Sequence, residues 1–108
     1  MKKQEHELNW LGIDLDKTIA HNSPHPDYAL LEPIDGAREA LQSLSKGGWR
    51  ITIYTARHWQ DYDIICEWLN KYKIPYDQVV CGKLFCRWMI DDKAIHFDSW
   101  DNVLKQIK

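Results

Sequence analysis

Four short apolar runs in this chain each stop on a polar residue or a glycine, and helical patterns lie between them. Leu8 to Ile13 is nearly continuous in apolar character and halts at Asp14. Trp49 to Thr55 is rich in β-favouring residues, Gln78 to Cys81 is ended by Gly82, and Arg87 to Ile90 is ended by Asp91. A strand without polar–apolar alternation reads as one buried on both faces, as in a parallel sheet. Strands that alternate with helices join through right-handed crossovers. The expected fold is therefore α/β: a three-layer α/β/α sandwich on a parallel sheet of about four strands.

Three helices separate and follow these strands. The first is expected from near Pro33, where a first-turn proline is harmless, with Ile34, Ala37, Leu41 and Leu44 on one face. Gly47-Gly48 closes it. The second runs from about Trp59 to Tyr72, with Tyr62, Ile65, Cys66 and Leu69 at helical spacing and Pro75 just past its end. The last carries Trp100, Val103, Leu104 and Ile107, capped by Asp98 or Ser99. Residues 20–33 hold three prolines and read as an irregular excursion or a short flap.

The 108 residues make one domain over 1–108. A chain of this size buries about two thirds of its surface on folding, enough for one core, and leaves no room for a second domain. Net charge is −2 with acids and bases interspersed, which argues against a binder of polyanions held by bulk charge. The N-terminal Met1 to Glu7 lacks the apolar centre of a signal peptide, and no apolar run approaches the ~20 residues that span a bilayer. Cys66, Cys81 and Cys86 make an odd count, against a secreted disulfide framework, and Cys81 and Cys86 are too loosely spaced for a zinc pair. The expectation is a cytoplasmic chain with no membrane partner.

In open parallel sheets, ligands bind beyond the carboxyl ends of the strands, so the residues there matter most. Strand by strand these are Asp14-Leu15-Asp16-Lys17-Thr18, Thr55-Ala56-Arg57, Gly82-Lys83 and Asp91-Asp92. Four carboxylates at one edge repel unless some are protonated or a cation sits among them. An all-oxygen set favours Mg²⁺ over zinc. A hydroxyl, a lysine and an arginine beside that cation make a cradle for phosphate.

Leu11-Gly12-Ile13-Asp14-Leu15-Asp16-Lys17-Thr18-Ile19 resembles the first motif of the haloacid dehalogenase (HAD) superfamily, a hydrophobic strand followed by Asp-x-Asp-x-Thr. Ile51 to Thr55 resembles its second motif, Lys83 its third, and Trp88-Met89-Ile90-Asp91-Asp92 its fourth in the acidic-pair form. The four occur in order over nearly the whole chain. Thr55-Ala56-Arg57 and the Gly-Lys before Asp-Asp-Lys-Ala are most similar to small capless members, among them capsule-biosynthesis-type and phage-type phosphatases.

The resemblance implies a Rossmann-like, capless fold and a Mg²⁺-dependent phosphatase for a small phosphorylated metabolite, a sugar phosphate or a nucleotide. It implies that Asp14 is the nucleophile and Asp16 the general acid and base. Mg²⁺ is expected on Asp14, the Asp16 carbonyl and Asp91, with Asp92 close by or through water. Thr55 and Lys83 are expected on the phosphoryl oxygens, and Arg57 and Lys17 are candidate substrate contacts. Two positions depart from the pattern. Lys17 replaces the usual glycine, and would be strained if its φ must be positive. Leu84 replaces a frequent proline, which leaves Lys93 as a competitor for the role of Lys83.

Other readings stand beside this one. The same cluster would serve a nucleic acid 3′-phosphate, although the chain lacks a basic stripe. A non-catalytic module binding phosphate and metal would not need Asp16. A phospho-receiver domain carries its acidic pair on the first strand, the reverse of the order here. His21 and His25 fall in a proline-rich stretch and are read as solvated flap residues rather than ligands. Trp10, Trp49 and Trp88 are assigned to the core; Trp59, Trp68 and Trp100 to core or helix packing rather than to stacking on a substrate ring. A neighbouring subunit remains open as a contributor to selectivity.

Overall fold

A computed structural model of the chain describes residues 9–23 and 29–107. The N-terminal stretch Met1 to Leu8 and the flap residue His25 lie outside the described residues. Strand β1 spans Trp10–Asp14 and is followed by a two-stranded antiparallel unit, β2 (Ala20–Asn22) and β3 (Leu30–Pro33). Then come α1 (Ala37–Lys46), β4 (Arg50–Tyr54), a 3₁₀ turn (Trp59–Asp61) running into α2 (Tyr62–Lys71), β5 (Gln78–Val80) and α3 (Trp100–Gln106). The chain is an α/β protein on an open parallel sheet ordered β1-β4-β5.

The register of that sheet sorts its residues into two unlike faces. Trp10 pairs with Arg50, Gly12 with Thr52 and Asp14 with Tyr54, while Thr52 pairs with Gln78 and Tyr54 with Val80. Because side chains alternate along a strand, these residues share one face, and Ile13, Ile51, Ile53 and Val79 share the other. The second face is buried against Ala37, Ala40 and Leu41 of α1, Ile65, Trp68 and Leu69 of α2, and Trp100 and Val103 of α3. Full burial of Leu41, Ile51, Ile53, Ile65 and Leu69 contributes about 1.5–3 kcal/mol each. The first face is half-buried or exposed throughout. The expectation of strands buried on both faces therefore holds for one face of the sheet only.

The fourth expected strand does not form. Residues 84–90 take no regular structure, and Leu84, Phe85, Trp88 and Ile90 are exposed. Among the described residues the outer edge of β1 stays unpaired, and this apolar run neither joins that edge nor enters the core. Trp88, expected in the core, is 76% exposed for that reason.

The first helix starts later than its proline suggests. Pro33 ends β3 opposite Ala20, and the Ile34 amide donates to the Ile19 carbonyl at 2.8 Å, which keeps the chain extended past the proline. Gly36, with φ 84°, then makes the left-handed turn into α1. The other helix ends follow the sequence. Gly47 closes α1 by donating to Ser43, and the Ser99 side chain caps α3 by accepting from the Asn102 amide. Among the described residues, no helix is long and apolar enough to cross a membrane.

Candidate active site

The loops that leave β1, β4 and β5 are laced together at the carboxyl end of the sheet. The Leu15 amide donates to Tyr54 at 3.1 Å, Thr55 to Val80 at 3.0 Å, and Lys83 back to Thr55 at 2.8 Å. The Gly82 amide, in a residue with φ 82°, donates to the Arg57 carbonyl at 2.9 Å. Leu15 and Thr55 are fully buried, which anchors both loops in the core and turns Asp14 and Asp16 toward the rim. After Asp16 the chain folds tightly, with the Leu15 carbonyl accepting from Ile19 and Ala20 at 3.0 Å each. That turn holds Lys17 at φ 64°, the left-handed region in which the side chain costs energy.

Asp16 is the most heavily bonded carboxylate of the site. Its Oδ1 accepts from Arg57 Nε at 3.0 Å, Arg57 Nη2 at 2.8 Å and Asn22 Nδ2 at 2.6 Å. Its Oδ2 accepts from the Thr55 hydroxyl at 3.0 Å, and that hydroxyl accepts in turn from the Arg57 amide at 3.1 Å. Burial pushes the Asp16 carboxyl up, but the bonds from Arg57, Asn22 and Thr55 outweigh it and hold the pKa below the ordinary value.

Asp14 is set the other way. Lys83 Nζ lies 3.3 Å from its Oδ2, yet burial, helped by the charge of Asp16, outweighs Lys83 and raises the Asp14 pKa. Two neighbouring carboxylates are thus pushed apart in acidity by their surroundings.

Tyr54 and Asn22 belong to this cluster and are absent from the sequence reading. Lys83 Nζ sits 4.8 Å from the centre of the Tyr54 ring, a cation–π distance. The ring lies against Gly12, where a Cβ would meet Tyr54 Cε1 at an ordinary contact distance of 3.5 Å. The clue to Tyr54 was its register opposite Asp14, which only the pairing of β1 with β4 reveals. Asn22 reaches Asp16 because β2 doubles back after the Asp16 turn, and no local pattern announces that.

Of the expected site residues, Asp14, Asp16, Thr55, Arg57 and Lys83 converge. Lys83, not Lys93, is the lysine on Asp14; Lys93 is exposed, its amide donating to Asp91 Oδ1 at 2.7 Å. Lys17 is exposed on the neighbouring turn. Asp91 and Asp92 are exposed on the irregular segment, although the charge of Asp91 is felt at Tyr54. Among the described residues no three His, Cys, Asp or Glu side chains gather as a ready metal cage. The expected meeting of four carboxylates is thus seen for two, because the strand that would carry the other two is not formed.

The crystal structure of a structural-genomics target from Vibrio cholerae matches this chain with 32% identity and a TM-score of 0.67, over 81% of this chain and 82% of that one. The chain belongs to the same family as that protein. No family model and no curated protein matches it. Kinship with the Vibrio cholerae protein establishes the shared fold, and the chemistry rests on the side chains described above.

Proposed function

We propose that this chain is a cytoplasmic, Mg²⁺-dependent phosphomonoesterase of the HAD type, a single capless domain working through an aspartyl-phosphate. The observation that carries the reading is the convergence of two carboxylates, two cations and a hydroxyl from three strand ends. Asp14 pairs with Lys83, while Asp16 pairs with Arg57 and Thr55. Lys83 and Arg57 supply the positive charge that a phosphate dianion requires, and Arg57 presents the planar fork suited to it.

In the proposed reaction an Asp14 oxygen attacks phosphorus in line, and the bond from phosphorus to the ester oxygen breaks. Asp16 donates a proton to that departing oxygen, and then accepts one from the water that attacks the aspartyl-phosphate. Inorganic phosphate leaves and Asp14 is regenerated. Before substrate arrives, Arg57 keeps Asp16 ionised. An incoming phosphate competes for Arg57, and the freed Asp16 then gains affinity for the proton it must deliver. Thr55 and Lys83 hold phosphoryl oxygens, and positioning of this kind dominates phosphoryl transfer.

The residues present fit a hard cation. The donors are all oxygen, and burial holds the Asp14 pKa up even with Lys83 at 3.3 Å, so a further cation there would be favoured. Asp14, the Asp16 carbonyl and Asp91, with Asp92 beside it, would hold Mg²⁺. When bound, the ion would screen the repulsion between Asp14 and the phosphate. Between β1 and α1 the described chain forms only the short β2–β3 unit, which supports a site without a cap.

A panel of phosphate monoesters assayed with and without Mg²⁺, for wild type and Asp14→Asn, tests the reading. Hydrolysis that needs Mg²⁺ and disappears in Asp14→Asn is the expected result. Equal turnover in Asp14→Asn would sink it, and no turnover of any ester would favour a module that only binds phosphate.

A further inference from the structure

Trp59 packs on α2, as one of its two expected roles allows, but it stays outside the core. It opens the 3₁₀ turn before α2, yet it is 56% exposed rather than packed in the core. Its ring stacks on Tyr62, with centroids 5.9 Å apart and planes 23° from parallel. Beside the pair is a groove of about 730 Å³, lined by Trp59, Tyr62, Asp63, Tyr76, Asp77 and Val79 among others. That volume lies within the range of small-molecule sites.

Of the residues lining the groove, Trp59 lies beside the loops that carry the phosphate cradle. Arg57 precedes Trp59 by two residues, and the Gly82 amide is bonded to the Arg57 carbonyl at 2.9 Å. The indole Nε1 of Trp59 lies 3.7 Å from where a Gly82 Cβ would stand. The next residue, Lys83, is on Asp14 at 3.3 Å. Gly82 thus sets the indole of Trp59 beside the loop that carries Lys83. The groove lining also carries the carboxylates of Asp63 and Asp77, whose oxygens accept hydrogen bonds, although Asp77 Oδ2 already accepts from the Ile51 amide at 2.7 Å.

We propose that this groove holds the leaving group of the substrate, and that it takes a planar ring bearing N–H donors, as a nucleoside monophosphate does. The inference rests on the phosphatase reading above and narrows its substrate class. The phosphate sits on Arg57, Thr55 and Lys83, and the ring stacks on the indole of Trp59 with its donors toward the acids. Stacking on an exposed aromatic suits any flat ring and offers little to a sugar phosphate or glycerol phosphate.

Two measurements test it together. Steady-state kinetics with AMP and with glycerol 2-phosphate compare wild type, Trp59→Ala and Trp59→Phe, with circular dichroism to verify folding. Titration of the Trp59 indole N–H resonance with AMP, assigned by its loss in Trp59→Phe, needs no turnover. Trp59→Ala is expected to lower kcat/KM for AMP about tenfold more than for glycerol 2-phosphate, chiefly through KM, with Trp59→Phe restoring most of it. The indole resonance is expected to shift saturably. Equal losses on both esters, or an indole resonance that AMP leaves in place, would overturn the inference. Failure of hydrolysis altogether would count against the phosphatase reading, while the resonance still decides whether the groove binds a ring.

Discussion

Arg57 directs both Nε and Nη2 onto a single oxygen of Asp16, at 3.0 and 2.8 Å. The second carboxylate of the Asp-x-Asp pair is thus locked in its ionised form by a residue that lies 41 positions further along the chain. The contact joins the loop after β1 to the loop after β4, and so ties the chemistry of the site to its stability.

Removing that arginine makes stability depend on pH in a predictable direction. With Arg57 present, the Asp16 pKa lies below the ordinary 3.8, so its contribution is complete above that value and fades as pH falls through the lowered one. In Arg57→Gln the burial of Asp16 remains without its chief counterweight, its pKa rises, and stability falls as pH rises through it. We expect Arg57→Gln to cost about 1–2 kcal/mol at pH 7, discounted for the partial exposure of the pair. Urea titrations across pH 3–8 check this, because the difference from wild type should shrink toward the acid end.

Lys17 occupies φ 64°, where a β-carbon is penalised and glycine is not. Lys17→Gly should stabilise the fold by about 0.5–1 kcal/mol, after allowing for the freer unfolded chain. Chemical denaturation measures it. A loss of activity alongside the gain in stability would assign Lys17 to substrate contact rather than to solvent.

Gly12 and Tyr54 form a second dependent pair. An alanine methyl would meet the Tyr54 ring at an ordinary contact distance of 3.5 Å, whereas a larger side chain would push the ring from beneath Lys83. Gly12→Ala should fold and act nearly as wild type, and Gly12→Leu should lose activity. Tyr54→Phe, which keeps the ring, should retain more turnover than Tyr54→Leu.

Trp100 pins α3 to the Asp-x-Asp turn through an indole bond to the Thr18 carbonyl at 3.0 Å, with only 4% of its surface exposed. Trp100→Ala should cost about 3–5 kcal/mol, a large share of the stability of a small domain. Trp100→Phe keeps part of the packing while removing the hydrogen bond, and should cost less than Trp100→Ala. Thermal melts of the two variants measure both losses.

The sequence foretold those parts that are specified locally or by a single strand end. Strands β1, β4 and β5, the second and third helices and the Ser99 cap follow from short-range patterns. Asp14, Asp16, Thr55, Arg57 and Lys83 follow from the rule that parallel strands deliver ligand groups at their carboxyl ends. Tyr54 and Asn22 did not, because one depends on inter-strand register and the other on a doubling-back of the chain. The run Arg87 to Ile90 has strand composition, but composition alone does not join it to the open edge of β1. Trp59 packs on Tyr62 of α2 as expected, but its 56% exposure was not legible, because a tryptophan at a helix start carries no mark of which way it faces.

The direct test of the central claim is to trap the covalent intermediate. Enzyme mixed with an aryl phosphate and Mg²⁺, quenched in acid within one turnover and digested, should yield a phosphorylated peptide containing Asp14. The label should be missing from Asp14→Asn and should accumulate in Asp16→Asn, where hydrolysis of the intermediate lacks its base. Turnover with no phosphorylated peptide, or with the phosphoryl group on another residue, would contradict the account.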